Sequence, residues 1–226
     1  MIDKIISFGD SFMYGSDLSD CNGTEKSQFS QLTWPALCAN ELGLEYDCQA
    51  RGGSGNQNIS KNILNFANCS SLVVINWSWI DRFDYNDDSY GWSKTIRPGS
   101  DDHISKFFYK EIHTEEDDKF RSLSYIYTAH QYLRNQNIPF ISTYMDQLIL
   151  DQKWNVSSGM IKLQDQIKKD LQTFTNNQTF LEWSRSNGYP ESDSQHPLEQ
   201  AHREAAKIWL PIYKEAINTY ITNLED

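Results

Sequence analysis

The parts of this chain able to do chemistry are a serine after a short apolar run, a glycine-rich turn and an aspartate three residues ahead of a histidine. The first lies in Ile5-Ile6-Ser7-Phe8-Gly9-Asp10-Ser11. A serine hydroxyl is a poor nucleophile until a base removes its proton. The base is usually a histidine whose tautomer a carboxylate fixes. Of the five histidines, His103 and His113 fall in an irregular stretch. His130 and His202 fall inside helical patterns, and His202 reads as a packing or surface residue. His196 closes Asp193-Ser-Gln-His-Pro, a polar loop just before the last helix. That spacing lets one tight turn aim Asp193 at the imidazole, so a single loop delivers base and orienter. Gly52, Gly53 and Gly55 allow backbone N–H groups to approach a developing oxyanion closely. Asp10 reads as structural, holding its turn through side-chain hydrogen bonds.

The elements that must position these groups follow from periodicity. Lys4–Phe8 is a continuous apolar run closed by glycine, the pattern of a buried strand. Trp34–Leu42 reads as a helix with Pro35 at its start and Gly43 at its stop. Leu44–Ala50 is a second strand. A helix follows Gly55-Asn56, with Ile59, Ile63, Leu64 and Phe66 on its inner side. Ser71–Asn76 is a third strand, apolar on both faces. A long helix begins near Phe120, Ile138–Asp146 is a fourth strand, and one or two amphipathic helices lie within 149–173. Leu198–Leu224 is a closing helix, kinked or broken near Pro211. Strands alternating with helices give an α/β, three-layer α/β/α fold around a central parallel sheet, flavodoxin-like in arrangement. Ligands in such sheets bind outside the carboxyl ends of the strands, the edge where Ser11, Gly55 and Ser78 each fall.

Composition bounds the partners. The 226 residues are 38% hydrophobic and 13% aromatic, with a net charge of −11 and a pI near 4.8. That suits one domain over 1–226, carrying an aromatic and acidic insertion at about 81–118. The acidic balance argues against nucleic acid and disfavours strongly anionic substrates. Cys21, Cys38, Cys48 and Cys69 form no metal-ligand or redox spacing and read as free thiols. No cofactor or metal is implied. The N-terminus lacks a signal-peptide pattern and no run spans a membrane. The expected setting is cytoplasmic or phage-encoded, with no membrane partner.

Taken in order, Phe8-Gly9-Asp10-Ser11-Phe12, Arg51-Gly-Gly-Ser-Gly-Asn56 and Asp193-Ser-Gln-His-Pro197 resemble the blocks of the SGNH or GDSL serine esterases and lipases. The resemblance covers nearly the whole chain in element order, with identity confined to those short blocks. It implies the SGNH hydrolase fold and a carboxylic ester hydrolase. Ser11 would be the nucleophile, Asp193 and His196 the other triad members, and the N–H groups of Ser11 and Gly55 the oxyanion hole. The family's G-x-N-D block is absent. In its place stands Asn76-Trp-Ser-Trp79, where Ser78 is the nearest positional match for the oxyanion-donating asparagine and Asn76 the alternative.

Trp77, Trp79, Phe83, Tyr85, Tyr90 and Trp92 follow the third strand, interleaved with polar residues. Trp77, Trp79 and Arg82 are candidate substrate contacts. Arg82 could equally hold its loop by a salt bridge. Indoles stack on the apolar faces of sugars, so the expected substrate is a small-molecule or glycan ester with a short acyl group, such as a carbohydrate O-acetyl. The alternative reading is a non-catalytic carbohydrate-binding or structural protein on the same fold.

Overall fold

The computed structural model describes residues 2–21, 28–87 and 92–225. The chain runs β1 (Lys4–Phe8), α1 (Ser11–Tyr14), α2 (Trp34–Leu42), β2 (Glu45–Cys48), α3 (Asn56–Phe66), β3 (Ser71–Trp77), β4 (Phe83–Asp87) and β5 (Trp92–Ile96). It continues through α4 (His103–Glu111), α5 (Glu115–Asn135), β6 (Phe140–Tyr144), α6 (Ser158–Lys168), α7 (Phe180–Ser186) and α8 (Glu199–Glu225).

The four expected strands form one parallel sheet in the order β2-β1-β3-β6. Every residue of β3 is buried, as a strand covered on both faces requires. Side chains alternate between the faces. Ile5, Leu72, Val74 and Ile141 pack with Trp34 of α2, Trp183 of α7 and Trp209 of α8. Ile6, Phe8, Val73 and Ile75 pack with Ile59 and Ile63 of α3, Leu123 and Ile126 of α5, and Ile167 of α6. The result is three layers, α/β/α. β1 lies between β2 and β3, so the direction of winding reverses beside it. The crevice beyond the carboxyl ends of β1 and β3 is therefore the topological switch point.

Two local expectations need correcting. On α3, Ile59 and Ile63 face inward, but Leu64 and Phe66 are exposed at 40% and 48%. Leu64 lies off the stripe that Ile59 and Ile63 define, and Phe66 closes the helix at its exposed last turn. The closing helix α8 is not broken at Pro211 but runs through it. An internal proline costs a hydrogen bond and about 3 kcal/mol. Trp209 and Tyr213, buried on either side of it, pack the helix onto the core and keep it continuous.

Within 81–118 the described residues form the antiparallel pair β4–β5, the helix α4 and the first turn of α5. Stacking of Phe83 on Phe108, with ring centroids 4.5 Å apart, joins the pair to α4. Tyr90 lies outside the described residues. All four cysteines are free. Among the described residues, no helix is long and apolar enough to cross a membrane.

Candidate active site

β1 ends against a turn that only glycine fits. A Cβ on Gly9 would lie 2.5 Å from Met13 Cγ and 3.0 Å from the Asn76 carbonyl oxygen. Asp10 then caps α1 by accepting from the Phe12 N–H at 3.1 Å. Its other oxygen accepts from Ser78 Oγ at 2.9 Å and Arg82 Nη1 at 3.0 Å. Asp10 is fully buried, and three donors make its burial tolerable. The strand–turn–helix presents Ser11, 8% exposed, to an open cavity.

His196 reaches Ser11 from the far end of the chain. Its Nε2 lies 2.8 Å from Ser11 Oγ. Residues 191–197 form a closed loop. Glu191 bridges Pro197, Ser192 N–H donates to the His196 carbonyl at 2.9 Å, and Gln195 N–H donates to the Ser192 carbonyl at 2.9 Å. Gln195 sits at φ +66°, a left-handed conformation that costs about 1 kcal/mol or more in a residue with a side chain. The Phe12 ring meets the imidazole edge-on at 4.9 Å and fixes its plane.

The carboxylate on His196 is Asp17, not Asp193. Asp17 Oδ2 lies 2.6 Å from Nδ1. The turn that delivers His196 carries Asp193 outward into solvent, while Ser192 Oγ (2.5 Å) and Ser194 Oγ donate to that same Asp17 oxygen. Asp17 reaches the imidazole because Gly15, at φ +76°, stops α1 after one turn. A Cβ there would lie 2.4 Å from Ser30 Cβ. Leu18 then buries, and Ser19 N–H donates to Glu199 Oε1 at 2.8 Å, tying this loop to the start of α8. Partial burial pushes the Asp17 carboxyl up. Hydrogen bonds from Ser192, Ser194 and His196, together with the imidazole's charge, outweigh this and lower it to about 2. With Asp17 ionised and accepting from Nδ1–H, Nε2 is left as the acceptor facing Ser11. The signal that marks Asp17 in the sequence is an acid between a turn glycine and a leucine, just past the serine block.

The expected oxyanion donors fare differently. Gly55 N–H donates to Asp84 Oδ1 at 3.0 Å, so it is already committed. Asp84 also accepts from Asn58 N–H at 2.8 Å and from Thr95 Oγ1. A carboxylate from β4 thus caps α3 across the fold. Ser78 is fully buried, its hydroxyl donates to Asp10 and its N–H donates to Asn56 Oδ1 at 2.8 Å. Ser78 therefore serves the buried network behind Ser11 rather than the cavity. Asn76, also fully buried, accepts from Thr143 Oγ1 at 2.9 Å. Among the described residues, no group accepts from the N–H of Ser11, Gly52 or Gly53, all of which line the cavity.

The cavity measures about 810 Å³, within the range of small-molecule sites. Trp79, Arg82 and Tyr85 form part of its wall. Of the two roles open to Arg82 in the sequence, the structure shows the loop-holding one: it bonds Asp10 and the Ser54 carbonyl (2.9 Å), and its guanidinium lies over the Trp79 ring at 4.5 Å. Trp77 is not part of the wall. It is fully buried, with Nε1 donating to Ser142 Oγ at 2.8 Å, because β3 runs one residue further than its apolar run suggests. His202 is a packing histidine. Its Nδ1 accepts from Trp34 N–H at 3.2 Å, and it stacks on the Trp34 ring.

No protein-family model matches the sequence. No curated protein matches it either. Solved structures do match the fold. An esterase from Pseudoalteromonas sp. superposes with a TM-score of 0.55 at 10% identity, over 96% of this chain and 99% of the other. An acetyl xylan esterase from the rumen bacterium Butyrivibrio proteoclasticus gives 0.51 at 13% identity, over 95% of this chain but only 64% of the other. A lipolytic protein of the G-D-S-L family from Desulfitobacterium hafniense gives 0.50 at 12% identity, over 93% and 99%. The chain therefore has the α/β fold shared by the SGNH, or GDSL, esterases and lipases.

Proposed function

We propose that the protein hydrolyses carboxylic esters through Ser11, His196 and Asp17. The observation that carries this reading is the continuous hydrogen-bonded chain from Ser11 Oγ to His196 Nε2 (2.8 Å) and from Nδ1 to Asp17 (2.6 Å), opening on a cavity at the switch point. Ser11 Oγ attacks the ester carbonyl as His196 Nε2 takes its proton. The tetrahedral intermediate collapses, the bond to the alcohol oxygen breaks, and His196 returns the proton to that oxygen. Water then attacks the acyl-serine with His196 again as base. The acid leaves and the proton returns to Ser11 Oγ. Asp17 holds the imidazole in the required tautomer and stabilises its charged form. The N–H of Ser11, with that of Gly52 or Gly53, would hold the oxyanion, each such donor being worth about 3 kcal/mol.

A short acyl group on a glycan is the favoured substrate. Trp79 and Tyr85 line the same cavity as Ser11, among polar residues, and one fold neighbour is an acetyl xylan esterase. The test is acetate release from 4-nitrophenyl acetate and from acetylated oligosaccharides by the unmodified protein, Ser11→Ala and His196→Ala. Each substitution is expected to lower kcat by about a thousandfold or more. Equal rates in all three proteins contradict the proposal.

A further inference from the structure

The charge of the cavity runs against that of the protein. The chain holds 31 acidic and 20 basic residues. Yet among the described residues the cavity wall carries Arg51, Arg82, Lys94 and Arg97 against a single acid, Asp102. Asp102 is already committed, one oxygen accepting from Ser105 N–H at 2.9 Å and the other from Ser105 Oγ at 2.6 Å. Arg82 is neutralised by buried Asp10, and Arg51 and Lys94 have interactions of their own. Arg97 differs. It is exposed, and among the described residues its guanidinium has no hydrogen-bond or ion-pair partner. It also sits over the turn that borders Ser11, since a Cβ on Gly53 would be 3.8 Å from Arg97 Nη1.

A net charge of −11 repels an anionic ligand at long range, whereas a cleft lined by the opposite charge attracts it locally. A neutral ester gains nothing from this arrangement. Building on the ester-hydrolase reading above, we propose that the ester accepted here carries an anionic group, a carboxylate or a phosphate, which Arg97 meets on the Gly53 side of Ser11. A guanidinium fork suits either oxyanion. The overall acidity of the chain, which by itself argues against anionic substrates, is locally inverted at this mouth.

The experiment compares 4-acetoxybenzoate and 4-acetoxyphenyl phosphate with the neutral 4-acetoxybenzamide, using the unmodified protein and Arg97→Gln. At low salt, kcat/KM for at least one charged ester should exceed that for the amide by about tenfold, the ratio should shrink as salt rises, and the preferred anion identifies the source. Arg97→Gln should raise KM for that ester and leave the amide unchanged. Equal kcat/KM for all three esters, or a charge preference that Arg97→Gln leaves intact, overturns the proposal. Calorimetric titration of 4-acetoxybenzoate and 4-acetoxyphenyl phosphate into Ser11→Ala separates the two readings. Salt-sensitive binding there, with no turnover by the unmodified protein, sinks ester hydrolysis and supports anion recognition. No binding of either probe overturns anion recognition.

Discussion

Asp17 and His196 lie 179 positions apart in the chain and meet at 2.6 Å. The contact joins the loop after α1 to the loop before α8, so the base and its orienting acid come from opposite ends of the chain. The serine and the acid come from the same end, linked by one helical turn and the left-handed Gly15. Three donors converge on one Asp17 oxygen. That convergence holds the carboxylate ionised and gives the imidazole a fixed partner, although Asp17 and His196 keep 30% and 18% of their side chains exposed.

Ser78→Ala separates a supporting role from a donor to the substrate. The Ser78 hydroxyl bonds buried Asp10, so its loss should lower unfolding stability by about 1–3 kcal/mol. The kcat of the folded variant should stay within a few-fold of the unmodified value. Urea unfolding and steady-state kinetics on the same preparation check both; a hundredfold fall in kcat with stability intact would return Ser78 to the oxyanion hole.

Arg82→Leu removes the partner of a carboxylate that is 0% exposed. Breaking a buried pair from one side costs about 3–5 kcal/mol. The double variant Asp10→Asn with Arg82→Leu should recover part of that loss, because no charge is then left unpaired. Thermal denaturation of the single and double variants tests this, and strictly additive losses would count against the pairing.

The contribution of His202 to stability should fall on mild acidification, against an opposing gain from Asp118, whose carboxyl is pushed up to about 6 by burial. Burial lowers the His202 imidazole from its ordinary 6.5 to about 3, with the charge of Glu199 opposing that shift and His196 adding slightly to it. Between those values the unfolded chain binds a proton at His202 that the folded protein refuses, so this contribution is full above pH 6.5 and declines as pH drops towards 3. One such group contributes at most about 1.4 kcal/mol per pH unit. The shift of His130 has the same sign. Urea unfolding at pH 7 and pH 5 should differ by roughly 2 kcal/mol from His202 alone. His202→Gln should remove that contribution, and an unchanged slope would exclude this assignment.

How far the sequence reveals this site depends on where each group gets its partner. β1, β3 and α2 are legible because an apolar run, or a proline and a glycine at the ends, is local information. Ser11 and His196 are legible because each follows from its own block. Asp17 is not, because its role is set by a loop packed against it from the opposite terminus. The adjacent Asp193 satisfies the spacing but faces solvent. Gly55 and Ser78 mislead for a similar reason. Both sit at the expected edge, but Asp84 of β4 and Asp10 behind the serine claim their hydrogen bonds. The pair β4–β5 in turn shows little periodicity of its own. Its buried anchor is the polar Asp84, a residue that hydrophobic patterning cannot mark.

The central claim is that Asp17 orients the base for Ser11. The most direct measurement is kcat for 4-nitrophenyl acetate in Asp17→Asn and Asp193→Asn beside the unmodified protein. Asparagine keeps the size of aspartate but neither requires nor stabilises the correct tautomer. Asp17→Asn is predicted to lose about a hundredfold or more, with Asp193→Asn unchanged within about twofold, as expected for a solvent-facing substitution. Loss confined to Asp193→Asn would contradict the account and place the working carboxylate on the histidine's own loop.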